Sequence, residues 1–501
     1  MKINYLTLSL LFILLASCSD YLNVKPLGKA IEGEVEVGEL EGKAFALYSS
    51  FRGDDASGKD EFGGVTGLPF AFLSSIRSDD AVKGYVETNT ASYESAGDEY
   101  MYDLNDTWLV SGFWADHYKF IVQCNQLIHY ADSLKLTDEP SLKNVAEAKF
   151  FRAYAFFDLV RTFGDIPLEL SERSSLSEAT PKSSVTEIYA QIDADLNYAI
   201  QNLPLKSLWE SSYPGRISKG VAKTLAAKTQ LYRQNWASAL SLCEEVINSH
   251  EYALYSSYKT MFEESGELCS ESILEVQNFV NANGSVAYFG NLPERTGIRG
   301  SGIFNQGWGW NTPSQSLVSA YEEGDPRKEA TILFRGSTDG YGNTLPEDLA
   351  LPYWNRKTYG DPARAKKTNY RKAVWMNVRI LRYADVLLMA AEAANELGGT
   401  NNVTKALDYL EQIRARARGG NNNILPRVTA TDKAELRAAI KHERRVEFGM
   451  EFERFYDLVR WGDAPTVLGP LGYTNRCRYY PIPQKILTQS NGIITQNPEW
   501  E

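Results

Sequence analysis

Residues suited to acid–base or metal chemistry are few in this sequence, and poorly spaced for it. Histidine occurs four times, at His117, His129, His250 and His442, and none has a partner at a zinc-binding interval. The chain has no phosphate-cradling glycine loop, dinucleotide fingerprint or G-x-S-x-G elbow. A glycosidase needs only two carboxylates roughly 5–10 Å apart, and Asp79–Asp80 is the pair that invites that reading. Adjacent acids in a Ser/Gly-containing stretch read more simply as a helix cap or a solvated loop. Between residues 443 and 462, Glu443 and Glu447 share a helix face, as do Glu453 and Asp457, with Arg444, Arg445, Arg454 and Arg460 interleaved. That spacing predicts a salt-bridged helix with Phe448, Phe452, Phe455 and Trp461 packed inward.

The chemistry that remains is stacking. A sugar ring presents C–H bonds that lie against Trp and Tyr faces, while Asp, Asn and Arg take its hydroxyls. Gly307-Trp308-Gly309-Trp310 offers rings with little steric cover, although one of the two could equally plug a core. The sequence therefore places a binding surface on loops 77–100 and 304–354. Trp308, Trp310 and Trp354 are its stacking candidates, and Arg77, Asp79, Asn89 and Asn311 its hydroxyl partners. No catalytic residue, metal ligand or cofactor is expected.

The elements that must position these loops are helical. Ala146, Phe150, Ala153, Phe157 and Val160 recur at steps of three and four, and Gly164 with Pro167 ends that helix. A preceding helix is expected over 114–134. Ser184 and Glu187 form a capping box ahead of Ile188, Ile192, Leu196 and Ala199. Segments 222–248 and 385–415 share a plan: a helix rich in small residues, a turn, then Ala-Leu opening a second helix (Ala239-Leu240 and Ala406-Leu407). This is the pattern of tetratricopeptide-like hairpins, which bury their apolar faces only by stacking. Pairs are expected over 114–163, 186–250 and 380–417. Regions 52–104 and 280–372 lack this periodicity, yet carry Tyr85, Tyr93, Tyr100, Phe304, Trp308, Trp310, Tyr341, Tyr353 and Trp354. Long loops with that many rings read as ordered and functional. The fold class is all-α, a tetratricopeptide-like scaffold with irregular loops carrying the site.

The N-terminus bears on compartment. Lys2, the apolar run 5–15 and Leu15-Ala16-Ser17-Cys18 read as a lipoprotein signal over residues 1–17. Cleavage would leave a lipidated Cys18 that anchors residues 18–501, as one domain, to a membrane. The net charge of −12 becomes −13 once Lys2 is removed, which argues against nucleic acid. Cys124, Cys243, Cys269 and Cys477 show no metal spacing and allow three disulfide pairings; Cys124 and Cys243, on helical patterns, are expected as buried free thiols.

Several stretches together resemble the SusD/RagB family of outer-membrane nutrient-binding lipoproteins. They are residues 18–26 (CSDYLNVKP), 147–167 (EAKFFRAYAFFDLVRTFGDIP), 382–393 (RYADVLLMAAEA), 443–462 (ERRVEFGMEFERFYDLVRWG), 480–484 (YPIPQ) and 495–498 (TQNP). They follow the family's order along the chain. Phe452 departs from it, standing where a small Gly is common. The resemblance implies four tetratricopeptide-like units and exposure at the surface of the outer membrane. It also implies a SusC-like TonB-dependent barrel as partner and an oligosaccharide cargo. A peptide cargo, as in a RagB-like importer, is the alternative, and a surface glycosidase the reading from another class. The family's ligand residues lie outside its signature motifs, so the site candidates rest on the loop argument alone.

Overall fold

A computed structural model describes residues 39–53, 64–84, 100, 108–172, 179–368 and 374–501. Cys18, Asn89 and the leader over 1–17 lie outside the described residues. The principal helices are α1 (Glu39–Arg52), α2 (Trp108–Ser133), α3 (Glu139–Phe163), α4 (Val185–Asn202), α5 (Lys219–Tyr232), α6 (Trp236–Asn248), α7 (Leu292–Thr296), α8 (Tyr383–Leu397), α9 (Thr400–Arg418), α10 (Lys433–Glu447) and α11 (Arg454–Trp461). They stack in sequence. α2 packs on α3, α3 on α4, α4 on α5 and α5 on α6; α6 then meets α8, which also carries α9 and α10. This is the tetratricopeptide-like arrangement the small-residue helices imply.

Helix starts and stops follow from local chemistry. Asp138 caps α3 by accepting from the Ser141 amide at 3.0 Å, and the helix stops at Gly164, whose φ is +76°. A Cβ there would also lie 3.1 Å from the Tyr479 ring, so glycine serves both the turn and the close approach. The Ser184–Glu187 capping box forms as the spacing predicts, with both reciprocal bonds present. Helix α8 is buried from Tyr383 to Asn395. Its Ala390, Ala391, Ala393 and Ala394 let neighbours approach on several sides.

Two expectations need revision. The 186–250 pair holds three helices, because α4 packs on α3 and α5 pairs with α6. The apolar stripe read on α3 understates its burial, since nearly every residue from Asn144 to Phe163 is buried. Its charges are therefore paired inside the stack. Arg152 grips Asp195 at 2.8 and 2.7 Å, and Arg216 grips Glu147 at 3.0 and 2.6 Å.

The same is true of the block 443–462. Phe448, Phe452 and Phe455 pack inward, but so do Glu443 and Glu447; Trp461 is half-buried and donates to Glu392 at 2.9 Å. The charges are not a solvated helix face. Arg444 bridges Asp385 and Asp457 at 2.5 and 2.6 Å, Lys228 reaches Asp385 at 3.0 Å, and Arg460 meets Glu392. These pairs lock α5, α8, α10 and α11 together. Phe452 takes φ +70°, a conformation glycine adopts without strain, and its ring lies 5.3 Å from Phe70. The four described cysteines are free, with Cys124 and Cys243 buried.

The strands form short antiparallel pairs, among them β1 (Ala81–Val82) with β3 (Thr312–Pro313), β2 (Ser272–Val276) with β6 (Val378–Arg382), and β4 (Ile332–Phe334) with β5 (Tyr353–Asn355). The β2–β6 pair joins the start of the long insertion to its end, immediately before α8. Among the described residues, no helix is long and apolar enough to cross a membrane.

Candidate functional site

The two loop regions singled out in the sequence meet. Ala81 pairs with Pro313 and Val82 with Thr312. The Asn311 amide donates to the Lys83 carbonyl at 3.0 Å, and the Ser314 amide to the Asp80 carbonyl at 2.9 Å. Contact is closest at Gly84, where a Cβ would lie 2.2 Å from the Gly309 carbonyl oxygen.

Trp308 stands on this junction. Backbone bonds run from Trp308 to the Glu294 carbonyl (3.0 Å), from Gly309 to Gly297 (2.9 Å) and from Trp310 to Arg295 (2.9 Å). They tie the loop to α7. A Cβ on Gly307 would meet the Glu294 carbonyl oxygen at 2.4 Å, so only glycine permits the approach. The indole N–H of Trp308 donates to Glu294 Oε1 at 2.8 Å, and the Arg295 guanidinium lies 5.6 Å from the ring centroid. The residue is 43% exposed. The arrangement is a partly exposed ring fixed at its polar edge, with an arginine beside it.

Most of the other candidates are structural. Trp354 is 2% exposed and packs with Ile298, Phe304, Leu333, Leu345, Leu349 and Tyr359 beneath the Trp308 loop. Trp310 is buried in the main core. Neither ring has a free face for a ligand, which corrects their assignment as stacking residues. Arg77 is buried between Phe455 and Tyr480, at 3.8 and 4.1 Å from their centroids, and donates to the Cys477 carbonyl. Asn311 is fully buried at φ +54°, with no partner for its side-chain amide among the described residues. Neither can meet a sugar hydroxyl in this conformation.

Asp79 is a tie between loop and scaffold. It accepts from Arg454 at 2.8 and 3.1 Å and pairs with Arg445 at 2.8 Å. Burial pushes its carboxyl up, but the Arg454 hydrogen bond and charge, with Arg445, hold it below the ordinary range. Asp80 meets Arg445 at 2.8 Å, yet deeper burial leaves its carboxyl raised. The adjacent acids are thus neither a cap nor solvated.

The insertion is pinned to α10 by buried charge. Arg327 reaches Glu443 at 2.5 Å and Glu447 at 3.0 Å. Arg382 reaches Glu447 at 2.6 Å and Glu451 at 2.7 Å, and Lys357 reaches Glu451 at 2.6 Å. Burial works against the Glu447 carboxylate, but Arg416, Arg382 and Arg327 hold it well below the carboxylate range. Sequence reasoning missed Glu294 and Arg295. They precede Trp308 by 14 and 13 positions on a five-residue helix, too short for any periodicity to link them to it.

Two family profiles match this chain: one described as the SusD family, over residues 271–477, and one described as starch-binding and associating with the outer membrane, over residues 71–231. The SusD-like protein P2 of Formosa agariphila is 30% identical over 427 residues, which span 79% of this chain and 81% of that protein. Among solved structures, a laminarin binding SusD-like protein superposes with a TM-score of 0.74 at 28% identity, covering 92% of this chain and 98% of the other. Surface glycan-binding protein A from Bacteroides fluxus gives 0.75 at 25% identity, covering 93% and 100%.

Proposed function

The chain belongs to the SusD family, and from that premise we propose that it captures glycans at the cell surface without cleaving them. The observation that carries this reading is Trp308, held 43% exposed on a glycine-braced loop by its bond to Glu294. Planar ligands stack on such rings, and two solved relatives are named for binding laminarin or surface glycans. The ion pairing of Asp79 and Asp80 with Arg445 and Arg454 favours binding over hydrolysis, since it occupies the loop's paired carboxylates.

In this proposal Cys18 carries the lipid that holds the protein to the outer membrane, and a SusC-like TonB-dependent barrel receives the cargo. The acidic chain gives little attraction to anionic headgroups, so its placement at the membrane is expected to rest on the lipid and on the barrel. Titration of the purified chain with a panel of soluble oligosaccharides and peptides, with product analysis, tests the binding reading. Saturable binding of intact saccharide supports it. Cleavage products, or binding of peptides alone, would replace it with the glycosidase or the peptide-importer reading. Cys18→Ala expressed without the barrel should leave the membrane fraction, and the wild-type chain should copurify with a large β-barrel in mild detergent.

A further inference from the structure

A second ring is displayed on the same insertion. Among the described residues, two aromatic residues are exposed, Trp308 at 43% and Tyr341 at 37%. Each is the middle of a Gly-aromatic-Gly tripeptide, Gly307-Trp308-Gly309 and Gly340-Tyr341-Gly342. Glycines on both flanks remove the side chains that would otherwise cover the ring.

The hairpin that carries Tyr341 is braced from inside. The Asp339 amide donates to the Asn343 carbonyl at 3.0 Å, and Leu345 donates to Ser337 at 2.9 Å. The Asp339 carboxylate, fully buried, accepts from the amides of Tyr341 (2.8 Å) and Asn343 (3.0 Å), from Asn343 Nδ2 (2.8 Å) and from the Tyr359 hydroxyl (3.0 Å). Gly340 and Gly342 take φ +89° and +92°, and a Cβ on Gly342 would meet nothing within 4 Å. A turn that only reversed the chain needs two residues and no such bracing. Here four bonds to one carboxylate hold the turn that displays the tyrosine, whose ring centroid lies 6.1 Å from that of Tyr359.

Cationic groups stand beside the turn that carries the ring. Arg356 Nη2 donates to the Asp339 carbonyl at 2.8 Å, and a Cβ on Gly340 would lie 2.6 Å from that nitrogen and 3.3 Å from Lys259 Nζ. Lys259 is half exposed and lies 4.0 Å from Glu263. The Trp308 loop and this hairpin share one apolar base, with Ile298 and Phe304 from the first and Leu333, Leu345 and Tyr359 from the second. The Thr296 hydroxyl also donates to that of Thr358 at 2.9 Å.

We propose that the Tyr341 hairpin is a second saccharide-contact surface of this chain, separate from the Trp308 loop. A sugar ring lies on the outer face of Tyr341, and its hydroxyls meet Arg356 and Lys259. This inference rests on the glycan-capture reading above. A chain with two such surfaces on one rigid base holds long glycans more tightly than short ones, since the second contact forms at high effective concentration once the first is made.

Affinity electrophoresis in gels containing laminarin, starch or other soluble polysaccharides tests it, alongside thermal melts. The wild-type chain should be retarded by at least one of them. Tyr341→Ala should weaken that retardation five- to tenfold with the melting temperature unchanged, Tyr341→Phe should retain most of it, and Trp308→Ala/Tyr341→Ala should lose more than either single variant. Wild-type retardation with Tyr341→Ala unchanged would overturn the second surface and leave the glycan-capture reading intact. Failure of the wild-type chain to be retarded by any polysaccharide would overturn both.

Discussion

The indole N–H of Trp308 is bonded to Glu294 at 2.8 Å, and this fixes what the ring can offer a ligand. Its one donor is already used, so recognition is by the face. The neighbouring Trp354 is 2% exposed beneath the same loop, and a Cβ on Gly309 would lie 3.2 Å from it. Trp308→Ala should therefore weaken saccharide binding by about 1–3 kcal/mol, the usual worth of a stacking ring, with the melting temperature kept. Trp354→Ala and Trp310→Ala should cost about 3–5 kcal/mol of stability as core cavities. Calorimetric titration and denaturant unfolding read the two effects separately, and a destabilised Trp308→Ala with binding intact would make Trp308 core as well.

Removing the ring's anchor should matter less than removing the ring. Glu294→Ala frees the indole and should cost about 0.5–1.5 kcal/mol of binding, the net value of one hydrogen bond. Glu294→Gln keeps an acceptor and should restore most of it. Tryptophan fluorescence on ligand titration reports the change, and equal losses in the two variants would mean that the carboxylate charge, rather than the bond, acts on the ligand.

Much of this was legible in the sequence, for reasons tied to periodicity. The α3 stripe, the Ser184–Glu187 box and the alanines of α8 are local signals, and each specifies its element. The loops over 77–100 and 304–354 drew attention because they carry Tyr, Trp and glycine outside any helical period, and the structure joins 81–84 to 309–314. What the sequence could not rank was which ring faces water. Trp308 and Trp310 are two positions apart with the same glycine neighbour, and their different burial follows from the pairing of β1 with β3, a contact across more than 200 residues. Arg77 and Asp79 looked like loop polar groups; their partners Phe455, Tyr480 and Arg454 lie more than 370 positions away.

Acid should weaken the pins that hold the insertion. Burial raises the Glu447 carboxyl, but Arg416, Arg382 and Arg327 overcome this and hold it below its unfolded range. A group whose folded value is depressed stabilises the fold above its unfolded value, near 4.3, and loses that contribution as pH falls toward the folded value. Glu447→Ala should cost about 3–5 kcal/mol at neutral pH, because Arg327, Arg382 and Arg416 would then share fewer anions. Its unfolding free energy should also fall less steeply than that of the wild type between roughly pH 4.5 and 2. Parallel acid limbs in the two proteins would remove Glu447 as their source.

Lys357 has its effect in the alkaline range. Its ammonium is buried against Tyr258 and Phe262, 5.1 and 4.5 Å from their centroids, with Glu451 at 2.6 Å. Burial, aided by Arg382 and opposed by Glu451 and Glu447, lowers it to about 8. Between there and the unfolded lysine value near 10.4, the unfolded chain holds a proton that the folded chain lacks, so this group makes stability rise with pH across the window. The rise is of the order of 3 kcal/mol, taking about 1.4 kcal/mol per unit. Lys357→Met should flatten it. At pH 7 the variant should lose little stability, because Arg382 still pairs with Glu451 at 2.7 and 2.9 Å and methionine suits the aromatic surroundings. Urea unfolding at pH 7, 8, 9 and 10 measures both effects. A loss of more than about 3 kcal/mol at pH 7, the cost of breaking a needed buried pair, would show that the ammonium itself holds the insertion to the scaffold.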